Sequence, residues 1–240
     1  MNESTGTPIH DHLSIPRLRR HLDTEVVGHH IYLLGTVEST NTVLRRLAEA
    51  GAEAGTVVLA EAQTAGRARA GTRWFSPDCV NLYVSVLFRP KLAARDVALF
   101  APVASLAMAE AIEAEDLDAE IRWPNDVVVD GRKVAGTRVE CATVDDQVTH
   151  VILGMGANLN VSRAELEVAL GPAEAVAATS VSELTGAAVD RNAFTARFLA
   201  LLEKWERVFT TEGPEVVLAA WRARGALRDR VLRQDDKEGR

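Results

Sequence analysis

The sequence predicts an α+β fold in which a mixed, mostly antiparallel sheet is backed by helices. Three observations lead to this prediction. The first two thirds of the chain hold short β-branched runs that end in tight turns, one long Ala-rich segment among them has helical character, and the last third is mostly helical. Strands joined by hairpins, with helices on separate segments, are typical of an α+β layer arrangement rather than of a doubly wound parallel sheet.

The composition narrows the class of protein. The chain has 240 residues, of which 47% are hydrophobic and 25% charged, so it can bury a core as a soluble globular protein. Its net charge of −7 argues against general nucleic-acid binding. Because it contains only Cys79 and Cys141 and no CxxC spacing, neither a disulfide framework nor a zinc site is expected. No apolar run has signal-peptide or membrane-spanning length, so a cytoplasmic location is expected.

The first predicted elements lead into a long loop. Residues 1–16 are polar and aperiodic, which indicates a loose terminus too short for a helix-turn-helix domain. Ser39-Thr40-Asn41 is a cluster of N-cap residues that opens a helix closed by Gly51. Residues 56–60 are predicted to form a strand, and residues 63–77 a loop because they break both periodicities.

The central elements alternate between strand and helix. Residues 81–88 are predicted to resume the sheet, and residues 96–115 to form an Ala-rich amphipathic helix. A strand-like run at 120–123 ends at a proline. The hairpin predicted at residues 127–140 therefore follows a strand, a helix and a second strand.

The last strands form a hairpin followed by a further strand. Residues 127–140 contain the pair Asp130-Gly131, which is a type I′ turn signature. Residues 147–160 are predicted to form another strand. The remaining segment is helical, and its apolar face consists of Phe194, Phe198, Leu201, Leu202 and Trp205.

The most informative segment lies in the predicted loop. Gly66 and Gly71 bracket Arg67 and Arg69, and Arg73 follows, so the segment can form a mobile cationic flap. Guanidinium groups bind phosphate oxygens in a planar, bidentate manner. The segment is neither a Walker A motif, because no Lys-Ser or Lys-Thr follows Gly71, nor a Rossmann fingerprint. On composition alone, a solvated basic loop explains it as well.

A second candidate combines Trp123-Pro124-Asn125-Asp126 with Lys133. The hairpin between them returns Lys133 toward Asp126, and a strand lysine near an arginine loop suits charge neutralisation at a phosphorus atom. Taken alone, a lysine beside a turn is more often a solvated surface residue. Asp126 is a candidate base, or it organises the turn after Pro124.

A third candidate is Gly154-x-Gly156-x-Asn158-x-Asn160, which places two side-chain amides just beyond a glycine-bearing strand. Amides can read adenine or ribose. They also commonly satisfy loop backbone groups, and this motif alone favours that simpler role.

Together and in this order, these segments resemble the biotin–protein ligases, or biotin–[acetyl-CoA-carboxylase] ligases, in a monofunctional form lacking the N-terminal DNA-binding domain. The matches are Ser39-Thr40-Asn41, Gln63-x-x-Gly66-Arg67-x-Arg69, Trp74-x-Ser76-Pro77-x-x-x-Asn81-Leu82-Tyr83, Trp123-Pro124-Asn125-Asp126, Lys133-x-Ala135-Gly136-x-x-x-Glu140 and Gly154-x-Gly156-x-Asn158. They span about residues 36–160. Each is common alone, but their ordered co-occurrence is specific.

The resemblance implies a catalytic domain similar to class II aminoacyl-tRNA synthetases. It implies that biotin and Mg-ATP give biotinyl-5′-adenylate, and that biotin then passes to a lysine of the biotin carboxyl carrier domain of a carboxylase. ATP and Mg²⁺ are the implied cofactors, with no resident metal site. A catalytic domain at 23–225 is expected between a flexible segment at 1–22 and, at 226–240, a remnant or truncated start of an SH3-like domain. A homodimer is left open.

The resemblance also assigns roles to individual residues. Those implied to bind biotin are Ser39, Thr40, Asn41, Gln63, Gly66, Arg67, Ala68, Arg69 and Lys133. Those implied to bind the nucleotide are Arg67, Arg69, Trp74, Asn125, Asp126, Lys133 and Asn158. The residues expected to be catalytic are Lys133, Arg67 and Arg69.

The sequence departs from the family pattern at several positions. Ala68 stands where the flap has its second glycine, and a positive φ there would cost about 1 kcal/mol or more. Ala70 and Thr72 stand where the family has basic residues, and Cys79 stands in place of a glycine. Arg122 replaces a lysine, and Thr137-Arg138 replaces an apolar pair.

Other functions stay open at this point. A lipoate or octanoate transferase of the same fold fits less well, because Ser39-Thr40-Asn41 with Gln63 offers the mixed donors and acceptors that a ureido ring needs. A non-catalytic biotin or adenylate sensor is favoured by the altered flap and the short C-terminal segment. A DNA-binding repressor is disfavoured, because nothing before residue 36 could form the reading head.

Overall fold

The structure is a computed structural model that describes residues 12–68 and 72–225. The expectations for Arg69 and for residues 226–240 therefore lie outside the described residues. So does the greater part of the terminus expected to be loose.

A seven-stranded sheet organises the described residues, and its strand order is β1-β2-β3-β7-β6-β5-β4. The strands are β1 Ile31–Val37, β2 Val57–Gln63, β3 Leu82–Phe88, β4 Glu120–Arg122, β5 Asp126–Val129, β6 Arg132–Val144 and β7 Gln147–Ala157. Strands β1 and β2 pair in parallel, and the other neighbouring pairs are antiparallel. This mixed, mostly antiparallel sheet confirms the predicted fold class.

Helices cover both faces of the sheet. They are α1 Ile15–His21, α2 Thr40–Glu49, α3 Phe100–Glu113, α4 Arg163–Leu170, α5 Pro172–Ala175, α6 Val181–Thr185, α7 Arg191–Glu212 and α8 Pro214–Ala223, and a 3-10 helix at Ala94–Leu99 precedes α3. The predicted apolar face of α7 is confirmed, because Phe194, Phe198 and Leu202 are fully buried. None of the helices in the described part of the chain has both the length and the apolarity that a membrane crossing requires.

The two faces of the sheet carry different helices because strand side chains alternate in direction. Val58 of β2, Leu87 of β3 and Ile152 of β7 pack with Leu44 of α2 on one face. The larger core, on the opposite face, includes α3 and α7. Helix α2 therefore packs on the opposite face of the sheet from α3 and α7.

Two tight turns set the register of the central strands. Asp130 (φ 50°) and Gly131 (φ 71°) both have positive φ, which confirms the predicted type I′ turn between β5 and β6. Asp145 and Asp146, with φ of 47° and 62°, join β6 to β7 in the same way. This second turn was not predicted, because it lacks the glycine that marks such turns in a sequence.

Helix α3 differs from its prediction, which was an amphipathic helix. The structure buries nearly every residue of α3, because it lies between the sheet and helices α7 and α8. Its alanines, such as Ala104 and Ala107, are fully buried. A helix covered on several sides has no polar face, and an Ala-rich composition alone does not distinguish that case from a surface helix.

Part of the segment at 1–22, which was expected to be flexible, forms helix α1 in the structure. Helix α1 packs on α7, with Leu18 buried. The backbone N–H of Leu13 donates to the Glu61 carboxylate at 2.7 Å, and the other oxygen of Glu61 pairs with Arg191 at 2.7 Å. These anchors lie far away in the sequence, so local polarity could not reveal them.

Replacing Arg191 with alanine should lower the free energy of unfolding by about 3–5 kcal/mol, because Glu61 would stay buried without its cation. Arg17→Ala is the matched control. Arg17 pairs with Asp190 at 3.2 Å, but both side chains are nearly half-exposed, and exposed pairs contribute about 0–1 kcal/mol. Denaturant unfolding measures both variants, and equal losses would contradict the role of the buried pair.

Candidate active site

A cleft opens on the face of the sheet that carries α2. Its walls come from the start of α2, the end of β2, the loop after β2, and strands β5, β6 and β7. The lining residues are Ser39, Thr40, Asn41, Gln63, Arg67, Ala68, Trp74, Asp126, Lys133, Gly136, Thr137, Arg138, Gly154, Met155 and Gly156. The structure thus brings together most of the residues that the sequence predicted for the site.

The floor of the cleft consists of three glycines on the two central strands. Gly136 of β6 and Gly156 of β7 are register partners, and Gly154 lies two residues before Gly156 on the same face. A Cβ atom at Gly154 would overlap the side-chain amide of Asn41. A Cβ atom at Gly156 would lie 2.5 Å from the indole Nε1 of Trp74. The bare backbone therefore lets these two side chains lie directly on the sheet.

A polar network forms one end of the cleft. The Gln63 side-chain oxygen accepts from the backbone N–H of Thr40 at 3.0 Å, and the Gln63 amide nitrogen donates to Ser76 Oγ at 3.1 Å. Ser85 Oγ lies 2.6 Å from Asn41 Oδ1 and 2.8 Å from Thr40 Oγ1. These contacts hold the turn at the start of α2 against β2 and β3.

One donor of this network is left over. Asn41 is buried, and its amide nitrogen makes no hydrogen bond of ordinary geometry among the described residues, although the amide lies beside the Glu140 carboxylate. A buried donor without a partner costs about 1–3 kcal/mol. Because Asn41 lines the cleft, a ligand with an acceptor oxygen can supply the missing bond.

Cations lie toward the β5–β6 side of the cleft. Lys133 Nζ pairs with Asp126 Oδ1 at 2.7 Å and lies 5.2 Å from the ring centroid of Trp74. Arg122 approaches the other oxygen of Asp126 at 3.4 Å. The Lys133 side chain is 26% exposed, so its ammonium group faces the cleft rather than bulk water. Asp126 holds this ammonium group in position.

The described part of the flap folds on itself. Arg67 and Arg73 pair through an isolated antiparallel β-bridge of the backbone. The backbone N–H of Trp74 donates to the Gly66 carbonyl at 2.9 Å. Arg67 lines the cleft and pairs with Glu38 at 3.3 Å. Ala68 does not adopt a positive φ, so the strain expected if it had to mimic glycine does not arise.

Two expected nucleotide contacts lie away from the cleft. The Asn158 amide donates to the Thr179 carbonyl at 3.0 Å, so it fastens the segment after β7 and does not line the cleft. The Asn125 amide donates to the Thr137 carbonyl, which places Asn125 beneath the cleft wall. In both cases a buried amide is satisfied by a backbone carbonyl of a neighbouring segment.

The structure adds residues that the sequence did not place in the site. Thr137, Arg138 and Met155 line the cleft, and Ser85 supports Asn41 from below. The Thr137-Arg138 pair was recognised as a departure from the family pattern, not as part of the site. Strand alternation could have found Arg138, because it lies two residues after Gly136 on β6.

The comparison with known proteins settles the family. Residues 33–158 match the Biotin/lipoate A/B protein ligase family. The chain belongs to this family. This match covers the strands, α2 and the flap that build the cleft.

Individual relatives agree with this membership. The chain is 34% identical to the biotin--[acetyl-CoA-carboxylase] ligase of Paracoccus denitrificans, over 81% of this chain and 80% of that protein. It is 31% identical to the bifunctional ligase/repressor BirA of Bacillus spizizenii, over 87% of this chain but only 63% of that protein. The solved biotin protein ligase from Aquifex aeolicus in complex with biotin and ATP is 27% identical, with a TM-score of 0.67, over 82% of this chain and 79% of that one.

Gly156→Ala should displace the Trp74 indole, because the added methyl group would lie 2.5 Å from it. We expect a changed tryptophan emission spectrum and a loss of about 1–3 kcal/mol in the free energy of unfolding. Gly35→Ala on β1 is the control, since a Cβ atom there has nothing within 4 Å. The same substitution in a Trp74→Phe background assigns the change to Trp74. An unaltered Gly156→Ala spectrum would show that the indole does not rest on the strand.

Proposed function

We propose that the chain is an ATP-dependent biotin–protein ligase. It joins biotin to ATP as biotinyl-5′-adenylate and then transfers the biotinyl group to a lysine of a biotin carboxyl carrier domain. The observation that carries the proposal is that one cleft holds both the buried amide donor of Asn41 and the ammonium group of Lys133, which Asp126 holds in position. The Asn41 amide suits the ureido head of biotin, and the Lys133 ammonium group suits the carboxylate of biotin.

The polar end matches the hydrogen bonds of a cyclic urea. A urea presents one carbonyl acceptor and two N–H donors, and the carbonyl can accept from Asn41 Nδ2. Hydroxyl groups of Ser39 and Thr40 line the same end and can act as acceptors or donors. A dithiolane ring or an alkyl chain would leave this buried donor unpaired, which disfavours lipoate or octanoate as the substrate.

The cationic side matches the chemistry of adenylation. A biotin carboxylate oxygen attacks the α-phosphorus of ATP, the new O–P bond forms, and pyrophosphate leaves with the electrons of the broken bond. Both reactants are anions and repel each other. Lys133 and Arg67 are among the described cations that line the cleft and can reduce this repulsion. Mg²⁺ arrives with the ATP phosphates as part of the substrate.

The second step needs the intermediate to survive. The amine of the acceptor lysine attacks the acyl carbon, AMP leaves, and one proton passes from the amine to solvent or to a base. Water can attack the same carbon, so the flap must exclude it. We propose that residues 23–225 together with α1 form the catalytic unit.

The proposed cellular location and binding partner follow from the same reaction. We propose a cytoplasmic location, where ATP and carboxylases meet, and no nucleic-acid partner because the net charge is −7. The partner is the carrier domain, whose lysine must reach the Lys133 side of the cleft. A homodimer remains an expectation from the sequence.

Lys133→Met should lower the rate of biotin-dependent pyrophosphate exchange by about 10²–10³-fold, because it removes a cation at the developing charge. Lys204→Met is a closely matched control. Lys204 also pairs with a carboxylate, at 2.8 Å from Glu110, and also lies over an indole, 5.1 Å from the ring centroid of Trp205, yet it lies on α7 away from the cleft. We expect this control to keep the wild-type rate.

The wild-type protein decides between the candidate functions. It is incubated with biotin, Mg-ATP and a biotin carrier domain. Labelled pyrophosphate exchange and a biotinylated carrier lysine are the expected results. Biotin binding without ATP consumption would instead indicate a sensor, and absence of both would reject the ligase.

Asn41→Ala should weaken biotin binding by roughly 5- to 150-fold, which corresponds to the 1–3 kcal/mol of one buried hydrogen bond. ATP binding should stay unchanged, because Asn41 lies over Gly154, whereas Lys133 lies beside Gly136. Titration calorimetry measures both affinities. If lipoate displaces biotin from the wild-type protein at equal concentration, the ureido assignment fails.

A further inference from the structure

Three side chains with different donor atoms meet at a place that does not line the cleft. His12 precedes α1, Glu61 lies on β2, and Cys79 lies in the turn before β3. The Nδ1 atom of His12 lies 3.3 Å from Cys79 Sγ and 3.7 Å from Glu61 Oε1. The three donor atoms all lie within 4.8 Å of one another. An imidazole, a thiol and a carboxylate therefore converge on one point.

The spacing of these atoms suits a single zinc ion. Zn²⁺ in proteins takes imidazole nitrogen, thiolate sulfur and carboxylate oxygen at about 2.0–2.3 Å, in tetrahedral sites. Two ligands of one such ion are then about 3.3–3.6 Å apart. Both separations from His12 Nδ1 are close to this range. Ca²⁺ and Mg²⁺ fit less well, because they prefer oxygen ligands.

Hydrogen bonds hold the His12 backbone in place without any ion. The side-chain oxygen of Asn192 accepts from the Ser14 N–H at 2.7 Å, and its amide nitrogen donates to the His12 carbonyl at 3.3 Å. The bond from the Leu13 N–H to Glu61 lies between these two. Because the segment is already ordered, an ion that binds here does not have to order it, which favours binding.

The charges around the three side chains favour a cation. Arg191 bonds to Glu61 Oε2 at 2.7 Å, which leaves Oε1 beside His12. The carboxylate of Asp78 lies 3.2 Å from Cys79 Sγ. Once the thiol has lost its proton, the three anionic groups exceed the one guanidinium by two charges, which one Zn²⁺ neutralises. The His12 side chain is 71% exposed and that of Glu61 only 10%, so an ion can enter from solvent past the imidazole.

We propose that His12, Glu61 and Cys79 bind one Zn²⁺ ion, with water in the fourth position. The sulfur–zinc bond forms as the thiol proton passes to solvent, and a coordinated thiol stays deprotonated. The ion joins the segment before α1 to β2 and to the turn before β3. The sequence predicts no zinc site, because its three ligands are far apart along the chain. This inference does not depend on the proposed ligase function, since none of the three side chains lines the cleft.

The first test is a titration of the full-length protein with Zn²⁺ after treatment with a chelator. We expect one ion per chain in the wild type. His12→Gln and Cys79→Ser should each bind at least about 100-fold more weakly, since even the loss of a group behind a metal ligand costs about 10–100-fold. His30→Gln and Cys141→Ser are the matched controls and should keep the wild-type affinity. His30 also lies beside a carboxylate, 3.5 Å from Glu53, and Cys141 is the other cysteine of the chain.

A second measurement identifies the sulfur ligand and the effect on the fold. Co²⁺ bound in place of Zn²⁺ gives a sulfur-to-metal charge-transfer band in the near ultraviolet when a thiolate is a ligand. This band should be present in the wild type and in Cys141→Ser but absent from Cys79→Ser. Zn²⁺ should raise the thermal unfolding midpoint of the wild type and leave that of His12→Gln unchanged, because only a bound ion stabilises the folded state.

The exposed histidine decides the outcome even if Cys79→Ser fails to fold. A wild type that binds no Zn²⁺ overturns the inference. Zn²⁺ binding that His12→Gln leaves unchanged also overturns it, because the ion would then lie elsewhere in the chain. A charge-transfer band that is absent from the wild type, or that Cys141→Ser removes, excludes Cys79 as the ligand. None of these results bears on whether the chain makes biotinyl-5′-adenylate.

Discussion

The cleft depends on the absence of side chains at three neighbouring positions of the sheet. Gly136, Gly154 and Gly156 leave bare backbone where β6 and β7 meet, and Asn41 and Trp74 lie in the space that Cβ atoms would fill. Protein interiors are packed too tightly to absorb added atoms without movement. A methyl group at either β7 glycine would therefore displace one of the two side chains that shape the cleft.

This floor also explains the arrangement of charge. Trp74 lies against Gly156, Lys133 Nζ lies 5.2 Å from the centroid of its ring, and Asp126 holds the ammonium group from β5. The cation is thereby fixed at a wall of the cleft, while the uncharged amide of Asn41 marks the polar end. A ligand with a polar neutral head and an anionic tail fits this division, and biotin has that form.

The fold around the cleft accepts unusual residues where the backbone demands them. Cys79, which stands in place of a family glycine, adopts a φ of 61° just before β3. Burial, the hydrogen bond to Asp78 and the charge of Glu61 raise the pKa of its thiol to about 12. The thiol is therefore protonated at neutral pH and poorly nucleophilic. A left-handed backbone at this position is retained even without glycine.

Much of the fold could be predicted from sequence because its signals are local. The type I′ pair at Asp130-Gly131, the N-cap cluster before α2 and the apolar face of α7 each depend on neighbouring residues. Strand β1 was missed because it lies at the sheet edge, where its half-buried side chains give no regular alternation. Helix α1 and the burial of α3 depend on contacts with segments distant in sequence, which no local pattern records.

The residues of the candidate site also differ in how far the sequence alone could predict their positions. Residue types with a distinctive chemistry, such as Lys133 and Gln63, were expected in the site, and both line the cleft. Asn158 was also expected there but does not line it, because the sequence cannot tell an amide that faces a ligand from one that bonds to a nearby carbonyl, here that of Thr179. Arg138 was seen only as a deviation from a pattern, since its partners at Ala68 and Glu140 emerge only when the flap folds over β6.

The most direct test of the proposed biotin site is a crystal structure with a non-hydrolysable analogue of biotinyl-5′-adenylate. We expect the ureido oxygen to lie about 2.7–3.2 Å from Asn41 Nδ2. We also expect the bicyclic ring to lie over the glycine floor and Lys133 Nζ to contact the atoms linking the acyl group to phosphorus. An analogue bound elsewhere, with Asn41 still unpartnered and Lys133 bonded only to Asp126, would contradict the proposed site.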